Sequence, residues 1–507
     1  MSKRVLIVGG GAAGWLAALY CKKIDPSLNV ELIESEEIGI IGAGESTTSF
    51  FKAALNFLNI DIREFVRETE STIKSSIRFD DWDFPGSSYL SIFTPWFSDQ
   101  IIKIQEIADY FLYCSANNID LNQIGIHKFN LENKAPVTQI DDMMGNETYD
   151  VTQGFTYHIN AKLTAKFFRK IAESRGIVRH EGKIIKINGH YPIQSLEDNK
   201  GRTHKVDFVF DCSGFARLII GKHFNTEWID YGKYLTVNST IPFFLPVDKE
   251  IPPYTRATAM KYGWMFKVPT QKRYGSGYVY NSNLISKEQA IQEVQEKLGH
   301  DVQLVNHFNF NGGTYKDTFV SNCIGLGLAS NFLEPMAGTN LGLVLLALKK
   351  IAKQIENTSS ETVFSPTPSD DFRNYLNQVI VFEIEHSAIC EIFSHYVNNR
   401  NDTEFWNHYK NIENYPPVFR KAYEECFLGD KFEYKQFSHM TRFVDHTFVT
   451  KMIGNNWCKE KIIKYCNDYN LNKTYDKLHA DIVSYAESIK PYILDHRDYL
   501  ERVCTYD

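Results

Sequence analysis

Three glycines and one acidic residue near the N-terminus have the spacing of a nucleotide-binding turn. Gly9, Gly11 and Gly14 follow an apolar run at 5–8, and Glu34 stands 20 residues after Gly14, at the end of the next apolar run. The first glycine permits a tight turn, the second lets the backbone approach a pyrophosphate, and the third packs helix against strand. The helix N-terminus offers N–H groups to phosphate, and the acid accepts hydrogen bonds from a ribose. The pattern predicts a dinucleotide site and favours FAD or NAD over NADP.

A lysine among apolar and small residues is a second candidate for chemistry. Lys74 lies between Ile73 and Ser75 in the run Ser71-Thr-Ile-Lys-Ser-Ser-Ile. An ammonium group buried in such a segment costs free energy unless it is used. Burial also lowers the pKa of a lysine and so yields the neutral amine. The alternative is a surface lysine whose methylene stem covers its apolar neighbours.

Other chemistries lack their residue patterns. The nine cysteines stand singly, without a C-x-x-C pair, and no H-E-x-x-H occurs, so we predict neither a disulfide framework nor a metal site. Ser213 and Ser276 do not lie in G-x-S-x-G elbows, which disfavours a serine hydrolase. His158 could serve as a general base, but a structural hydrogen bond in the core is the favoured interpretation.

The elements that must position these residues alternate in type. Strands are predicted at 5–8, 30–33 and 206–210, and helices at 12–24, 161–174 and 341–355. Residues 233–283 alternate apolar and polar with many aromatics, as a substrate-facing sheet would. The polar segment 357–371 is predicted as a loop or boundary, and helical periods dominate from 372 onward. The pattern is that of an α/β protein that begins with a βαβ unit.

Composition limits the class of protein. Lys and Arg number 55 against 62 Asp and Glu, and the net charge of −7 argues against a nucleic-acid partner. The longest apolar run, at 341–348, is too short to span a membrane, so no membrane association is expected. Glycines at 9–14 break a stretch that otherwise resembles a signal peptide, which favours the cytoplasm. The 35 Phe, 28 Tyr and 7 Trp leave room for an aromatic-lined cavity.

Several segments, in order along the chain, resemble one family of flavoenzymes. The segments are Gly42–Thr47, Ser71–Trp82 with Lys74, Tyr157–Ala161, Asp211–Gly214, Gly263–Pro269, Gly275–Tyr280, Asn331–Pro335 and Asp402–Trp406. Together they resemble the flavin-dependent halogenases of the tryptophan halogenase type over nearly the whole chain, thinning after about 410.

The resemblance implies a fold and a reaction. The fold is an FAD-binding Rossmann-type domain of the hydroxylase-like (GR2) class. The implied FAD-binding core is 1–356, with an inserted substrate-facing sheet at about 80–150 and 230–320, and 357–507 is a mainly helical substrate-binding region. A separate flavin reductase supplies FADH2, which reacts with O2 to a flavin hydroperoxide. Halide then gives hypohalous acid, and Lys74 positions it, or holds it as a haloamine, beside an aromatic small molecule.

The resemblance also assigns residues to the site. The implied flavin-binding residues are Gly9, Gly11, Ala12, Ala13, Gly14, Glu34, Gly44, Glu45, Ser46 and Gly327. The implied halide-binding residues are Thr339 and Asn340. The implied substrate or tunnel residues are Phe93, Trp96, Trp264, Phe266, Glu334 and Pro335.

The chain departs from the family after Glu334. The family often reads E-P-L-E-S-T-G, whereas this chain has Ala337 in place of the second Glu and Asn340 in place of Gly. The roomier, less anionic pocket leads us to expect a preference for bromide or iodide. Phe266 and Val268 replace a Trp and an Ile of the family and keep an apolar wall.

The sequence leaves some alternatives open. An FAD-dependent aromatic hydroxylase and a flavin-binding protein without catalysis both share the predicted nucleotide site. Against the hydroxylase, the chain has Gly327-Leu-Ala-Ser330 where such enzymes usually carry a G-D fingerprint. The arene that is halogenated, and whether the chain forms a homo-oligomer, also stay open.

Overall fold

The computed structural model describes residues 2–39, 42, 44–93, 102–141, 147–151 and 155–505. The chain folds into two compact units, each assembled from three segments. The first unit takes residues 1–70, 159–235 and 310–384, and the second takes residues 71–158, 236–309 and 385–507. The chain therefore alternates between the two units.

The strands of the described residues are, in chain order, β1 (Arg4–Val8), β2 (Asn29–Glu34), β3 (Glu45–Ser46), β4 (Thr72–Lys74), β5 (Ser76–Asp80), β6 (Ser88–Ile92), β7 (Lys134–Asp141), β8 (Glu147–Val151), β9 (Thr156–Ile159), β10 (Val178–Glu181), β11 (Ile184–Asn188), β12 (Ser195–Asp198), β13 (Thr203–Lys205), β14 (Phe208–Asp211), β15 (Trp228–Asp230), β16 (Ser239–Pro246), β17 (Tyr254–Ala259), β18 (Gly263–Pro269), β19 (Arg273–Tyr280), β20 (Phe308–Asn309), β21 (Gly313–Tyr315), β22 (Phe319–Val320), β23 (Cys323–Gly325), β24 (Asn331–Phe332) and β25 (Ile493–Asp495).

The α-helices of the same residues are α1 (Ala12–Ile24), α2 (Ser49–Phe57), α3 (Ile62–Thr69), α4 (Ile107–Ala116), α5 (Gly125–Leu131), α6 (Ala161–Ser174), α7 (Lys287–Leu298), α8 (Thr339–Asn357), α9 (Ser360–Val363), α10 (Asp370–Glu383), α11 (Ile389–Tyr396), α12 (Glu404–His408), α13 (Pro417–Phe427), α14 (Tyr434–Thr441), α15 (Asp445–Gly454), α16 (Lys459–Asp468), α17 (Leu471–Ile489) and α18 (His496–Thr505).

The first unit is built on a six-stranded sheet in the order β10-β2-β1-β14-β23-β22. All neighbouring pairs are parallel except β22 with β23, and Val5 stands between Val30 and Phe208 in the register. The apolar run of β1 is buried, as expected of an inner strand of a parallel sheet. The predicted βαβ start is confirmed, with α1 spanning the predicted 12–24.

A small antiparallel sheet, β11-β12-β13, packs on one face of the first unit's main sheet. Leu196 of β12 shares an apolar cluster with Leu6, Val8 and Ile33 of the two inner strands. The predicted helices at 161–174 and 341–355 are confirmed as α6 and α8.

The second unit is built on a seven-stranded sheet in the order β20-β16-β19-β18-β17-β5-β6. The alternating region at 233–283 supplies its centre, and β5 joins β17 in parallel while the other pairs are antiparallel. Tyr278 and Tyr280 of β19 pack into an apolar cluster on one face. The prediction of an aromatic-rich sheet in this region is confirmed.

Helices dominate the C-terminal third, as predicted. Helix α10 belongs to the first unit and α11–α18 to the second. The segment at 357–371 is not all loop, because the Ser359 side chain accepts a hydrogen bond from the Thr362 N–H and so caps the short helix α9. The division of function at residue 357 stays a prediction. Among the described residues, no helix combines the length and apolarity needed to cross a bilayer.

Candidate active site

The glycine turn after β1 is so tightly packed that side chains are excluded at two of its three glycines. Gly9 has φ +118°, and a Cβ there would lie 2.1 Å from the carbonyl oxygen of Cys212. A Cβ on Gly14 would lie 1.9 Å from the carbonyl oxygen of Gly9, so the start of α1 sits directly on the turn. A Cβ on Gly11 would meet no atom within 4 Å. The open side of Gly11 is where the backbone can approach a pyrophosphate, so the turn fits the nucleotide of FAD.

Glu34 is held at this turn by an arginine that the sequence pattern does not predict. Its Oε1 atom lies 2.6 Å from Nε of Arg179 and 3.7 Å from Nη1 of Arg169. Its Oε2 atom lies so close to the turn that a Cβ on Gly10 would be 1.5 Å away. The carboxylate at the end of β2 is therefore in place to accept hydrogen bonds from a ribose.

A glycine from far along the chain meets the start of α1. Gly327 has φ +62°, which glycine adopts without strain, and it opens the 3₁₀ turn Gly327–Ala329. A Cβ on Gly327 would lie 3.2 Å from Cβ of Ala13. The fold thus brings together Ala12, Ala13 and Gly327, three of the predicted flavin-binding positions.

The predicted segment Gly44-Glu45-Ser46 lies against the N-terminus of α8. Gly44 has φ +146°, and Glu45 and Ser46 form the short strand β3. A Cβ on Gly338 would lie 2.3 Å from the carbonyl oxygen of Ser46, so the two segments are in contact. Burial raises the pKa of Glu45 to about 7 although the side chain keeps some solvent contact.

Two buried side-chain oxygens lie at the N-terminus of helix α8. Gly338, with φ +70°, is the N-cap of this 19-residue helix, and Thr339 and Asn340 are its first residues. Oγ1 of Thr339 and Oδ1 of Asn340 are buried and have no hydrogen-bond partner among the described residues. A helix N-terminus attracts anions through its N–H groups and dipole. The Thr339 hydroxyl and these N–H groups fit a bound anion. Fully buried Glu334 and then Pro335 precede this segment, with Ala337 between them and the helix.

Lys74, in the second unit, is fully buried at the end of β4. The surface-lysine alternative is therefore wrong. Burial lowers the pKa of Lys74 to about 7, and the negative charge of Glu391 works in the opposite direction. The Nζ atom lies 4.7 Å from the centroid of the Phe93 ring. The amine can therefore exist in its neutral form at ordinary pH, which an exposed lysine cannot.

His158 supports the strand that carries Lys74. Strand β9 pairs with β4 so that His158 faces Thr72 and Thr156 faces Lys74. Nδ1 of His158 lies 3.0 Å from the Thr72 hydroxyl and Nε2 lies 2.9 Å from the Thr255 hydroxyl. Burial, and secondarily the charge of Lys74, holds the pKa of His158 well below its usual range. With both ring nitrogens in hydrogen bonds, His158 has the structural role that the sequence favours.

The sequence pattern did not predict a second buried lysine, Lys451. Lys451 of α15 is fully buried, and its Nζ atom forms an ion pair with Glu391 of α11. Burial lowers the pKa of Lys451, and Glu391 opposes that shift. The available signal was the run Phe448-Val-Thr-Lys-Met-Ile, where a lysine interrupts an apolar segment, but nothing in it points to Glu391. The pair supplies the carboxylate whose charge acts on Lys74.

The predicted aromatic wall lies on the middle strands of the second unit's sheet. Trp264 and Phe266 of β18 have ring centroids 6.1 Å apart. Phe266 faces Gly277 of β19, and a Cβ on Gly277 would lie 2.6 Å from Cζ of Phe266. The absence of a side chain at Gly277 lets the Phe266 ring lie against the sheet. Trp96 lies outside the described residues.

Each unit holds candidate functional residues of a distinct kind. The first unit supplies a nucleotide-binding turn and a helix N-terminus suited to an anion. The second unit supplies a buried amine that titrates near neutrality, beside an aromatic ring. A flavin, a halide and a group that handles an electrophilic halogen would use these features.

Comparison with known proteins gives one family. A sequence model of the tryptophan halogenase family matches residues 4–458. Tryptophan 7-halogenase KtzQ of Kutzneria sp. (strain 744) is 28% identical over 438 residues, which cover 81% of this chain and 79% of that protein. Tryptophan 7-halogenase RebH of Lentzea aerocolonigenes is 27% identical over 436 residues, with 81% and 79% covered. The structure of tryptophan 6-halogenase SttH from Streptomyces toxytricini has the same fold, with a TM-score of 0.83 at 22% identity and 99% of each chain covered. The chain belongs to the tryptophan halogenase family and is an enzyme of the flavin-dependent halogenase class.

Proposed function

We propose that this chain uses FADH2, O2 and a halide ion to halogenate an electron-rich aromatic small molecule, with Lys74 delivering the halogen. The observation that carries the proposal is the complete burial of Lys74 together with a pKa of about 7. At that pKa roughly half of the side chains are neutral near pH 7, so both protonation states are available to the reaction.

Each protonation state of Lys74 has a use. The ammonium form donates a hydrogen bond to the oxygen of hypohalous acid, which makes the halogen more electrophilic. The neutral form has a lone pair on Nζ that can attack the halogen of hypohalous acid. The nitrogen–halogen bond forms as the halogen–oxygen bond breaks, and the departing hydroxide takes a proton from the amine and leaves as water. Phe93, whose ring lies beside Nζ, shields this position from water on one side.

The flavin supplies the oxidising chemistry when it is bound, because reduced flavin activates O2 for oxidation of the halide. The glycine turn of Gly9, Gly11 and Gly14 holds the pyrophosphate, Ala12 and Ala13 start the helix that faces it, and Glu34 holds the ribose. Gly44, Glu45, Ser46 and Gly327 complete the flavin cradle. A separate flavin reductase provides FADH2, and the protein works in the cytoplasm.

The halide binds at the start of α8. The Thr339 hydroxyl can donate to an anion, and so can the N–H groups of Thr339 and Asn340. Alanine at position 337 leaves this region less anionic than a glutamate would. We therefore expect bromide or iodide to compete well with chloride.

The substrate occupies an apolar site lined by aromatic rings. Trp264 and Phe266 form an aromatic wall that the arene contacts, and the further residues assigned to substrate or tunnel are Phe93, Trp96, Glu334 and Pro335. An indole, a phenol or another activated arene suits such a lining.

The test is a panel of arenes with the enzyme, a flavin reductase, FAD, NADH, O2 and each halide in turn. Mass spectrometry is expected to show products that carry the supplied halogen. Oxygenated products that form without halide would instead identify a hydroxylase, and bound FAD without any product would identify a non-catalytic flavoprotein.

The matched variants are Lys74→Ala and Lys316→Ala. Lys74→Ala is expected to abolish halogenation while FAD binding, followed by flavin fluorescence, persists. Lys316 is exposed at the surface, so its variant should halogenate like the wild type. Halogenated product from Lys74→Ala at the wild-type rate would overturn the role of Lys74.

A further inference from the structure

Two histidines and a glutamate of the first unit converge although they lie far apart in the sequence. Nε2 of His180 is 2.8 Å from Oε2 of Glu31, and Nδ1 of His204 is 3.6 Å from the same oxygen. The three donor atoms all lie within 4.8 Å of one another. Ligand atoms of a tetrahedral Zn²⁺ ion with bonds of about 2.0 Å are about 3.3 Å apart. The cluster therefore has nearly the dimensions of such a site before any ion is placed in it.

Neighbouring residues orient two of the three donors. Nε2 of His204 is 3.0 Å from Oδ2 of Asp198. In the tautomer that donates this hydrogen bond, the lone pair of Nδ1 faces Glu31. The Oε1 atom of Glu31 accepts a hydrogen bond from Nδ2 of Asn29, which leaves Oε2 for the cluster. A carboxylate on the far nitrogen of a ligating histidine is the usual outer support of a metal site.

The nearby arginines have carboxylate partners of their own. Arg4 donates to both oxygens of Asp207, and Arg202 donates through Nε to Asp198. Neither forms an ion pair with Glu31 among the described residues. Arg4 interacts with Glu31 through its charge without forming an ion pair. The direct polar contacts of Oε2 of Glu31 among the described residues are with the two imidazoles, so this oxygen is in place to share a cation with them.

The cluster lies on the opposite face of the sheet edge from the nucleotide site. Along β2, Glu31 and Ile33 point to one face and Glu34 to the other, because side chains alternate in a strand. His180 pairs with Ile33 and so shares the face of Glu31, whereas Arg179 reaches Glu34. His204 comes from β13 of the small sheet that packs on this face. An ion here would not touch the nucleotide.

We propose that Glu31, His180 and His204 form a Zn²⁺ site that ties the small sheet β11–β13 to strands β2 and β10. Two imidazoles and one carboxylate are a donor set for Zn²⁺ rather than for Mg²⁺ or Ca²⁺, which prefer oxygen ligands. The side chains of Glu31 and His180 keep 30% and 20% of their surface exposed. An ion can therefore enter from solvent and keep a water molecule as fourth ligand.

The proposal is tested on the purified full-length chain by calorimetric titration with ZnCl2 after treatment with a chelator. The wild type is expected to bind one Zn²⁺ per chain at this site. Glu31→Gln keeps an oxygen for the hydrogen bond with His180 but removes the charge, and His180→Asn removes one ligand. Each variant is expected to weaken Zn²⁺ binding at least about 10-fold. Both residues are partly exposed, and the melting temperature without metal shows whether the variants fold.

The matched control uses another histidine pair of the same unit. Nδ1 of His190 lies 3.3 Å from Nε2 of His223 at the surface. His223→Asn should bind Zn²⁺ like the wild type, and Zn²⁺ should raise the melting temperature of both but not that of Glu31→Gln. Failure of the wild type to bind Zn²⁺ would overturn the site, and so would wild-type affinity in Glu31→Gln and His180→Asn. None of these measurements depends on halogenation.

Discussion

Glu391 forms an ion pair with the buried Lys451, and the charge of the same carboxylate acts on Lys74. One carboxylate thus interacts electrostatically with two fully buried lysines of the second unit. Glu391 provides this negative charge to Lys74 from a different element of the second unit, the helix α11.

Removing this acid should destabilise the protein. Breaking a buried ion pair by neutralising one partner typically costs about 3–5 kcal/mol, because the other charge is left buried and uncompensated. Glu391 keeps 26% of its side-chain surface exposed, so we expect Glu391→Gln to cost on the order of 2 kcal/mol. The double variant Glu391→Gln/Lys451→Met, which removes both charges, should recover most of the loss in urea unfolding. A double variant as unstable as Glu391→Gln would contradict this account.

The burial of Lys74 should make stability depend on pH. The unfolded lysine has a pKa of 10.5 and the folded one a pKa of about 7, so between these values the unfolded chain binds more protons. Stability therefore rises with pH in this window, by up to about 1.4 kcal/mol per unit from this group. Lys74→Met should stabilise the protein most at pH 7 and below, and the gain should shrink toward pH 10. Urea midpoints of both proteins across this range measure it, and a pH-independent difference would refute it.

A substitution at Gly11 should weaken FAD binding without affecting folding. The φ of −72° at Gly11 suits alanine, and the added Cβ would meet no protein atom within 4 Å. Gly11→Ala should therefore fold with unchanged stability yet bind FAD at least about 10-fold more weakly, because the methyl group occupies the pyrophosphate side. Gly14→Ala is the contrast, since its Cβ would collide with the Gly9 carbonyl and lower the melting temperature. Tight FAD binding by Gly11→Ala would place the pyrophosphate elsewhere.

Removing the hydroxyl of Thr339 should weaken halide binding without lowering the stability of the protein. This buried hydroxyl has no partner among the described residues, so Thr339→Val should leave stability unchanged or raise it by about 1 kcal/mol. Loss of a hydrogen bond to a charged ligand should raise KM for halide about 10- to 100-fold. Thr164 of α6 also has a buried hydroxyl without a partner in the described part of the chain, and it is the matched control. Thr164→Val should have the same effect on stability and none on KM, and equal KM in both variants would exclude the α8 site.

The sequence pattern predicted those parts of the fold and the site that depend on residues close together in the chain. The turn from Gly9 to Gly14 and the ends of α1 follow from spacing within 20 residues. The partners of the functional groups could not be predicted in this way. His180 meets Glu31 across 149 positions, and Lys451 meets Glu391 across 60. Such contacts depend on which strands and helices become neighbours, and a single sequence does not contain that information in any short motif. The apolar and small neighbours of Lys74 left both a buried and a surface lysine open, and only the resemblance to a family favoured burial.

The alternation of the chain between its two units affects the order in which strands can pair while the protein is being synthesised. Strand β14 ends at Asp211, but its neighbour β23 begins at Cys323, after all seven strands of the second unit's main sheet have been made. Protein synthesis adds about 5–20 residues per second. The edge of β14 therefore has no partner strand for on the order of 10 s while the intervening residues are being made. During that time an apolar strand edge is open to wrong partners. Growth at low temperature or with abundant chaperones should therefore favour soluble recombinant enzyme.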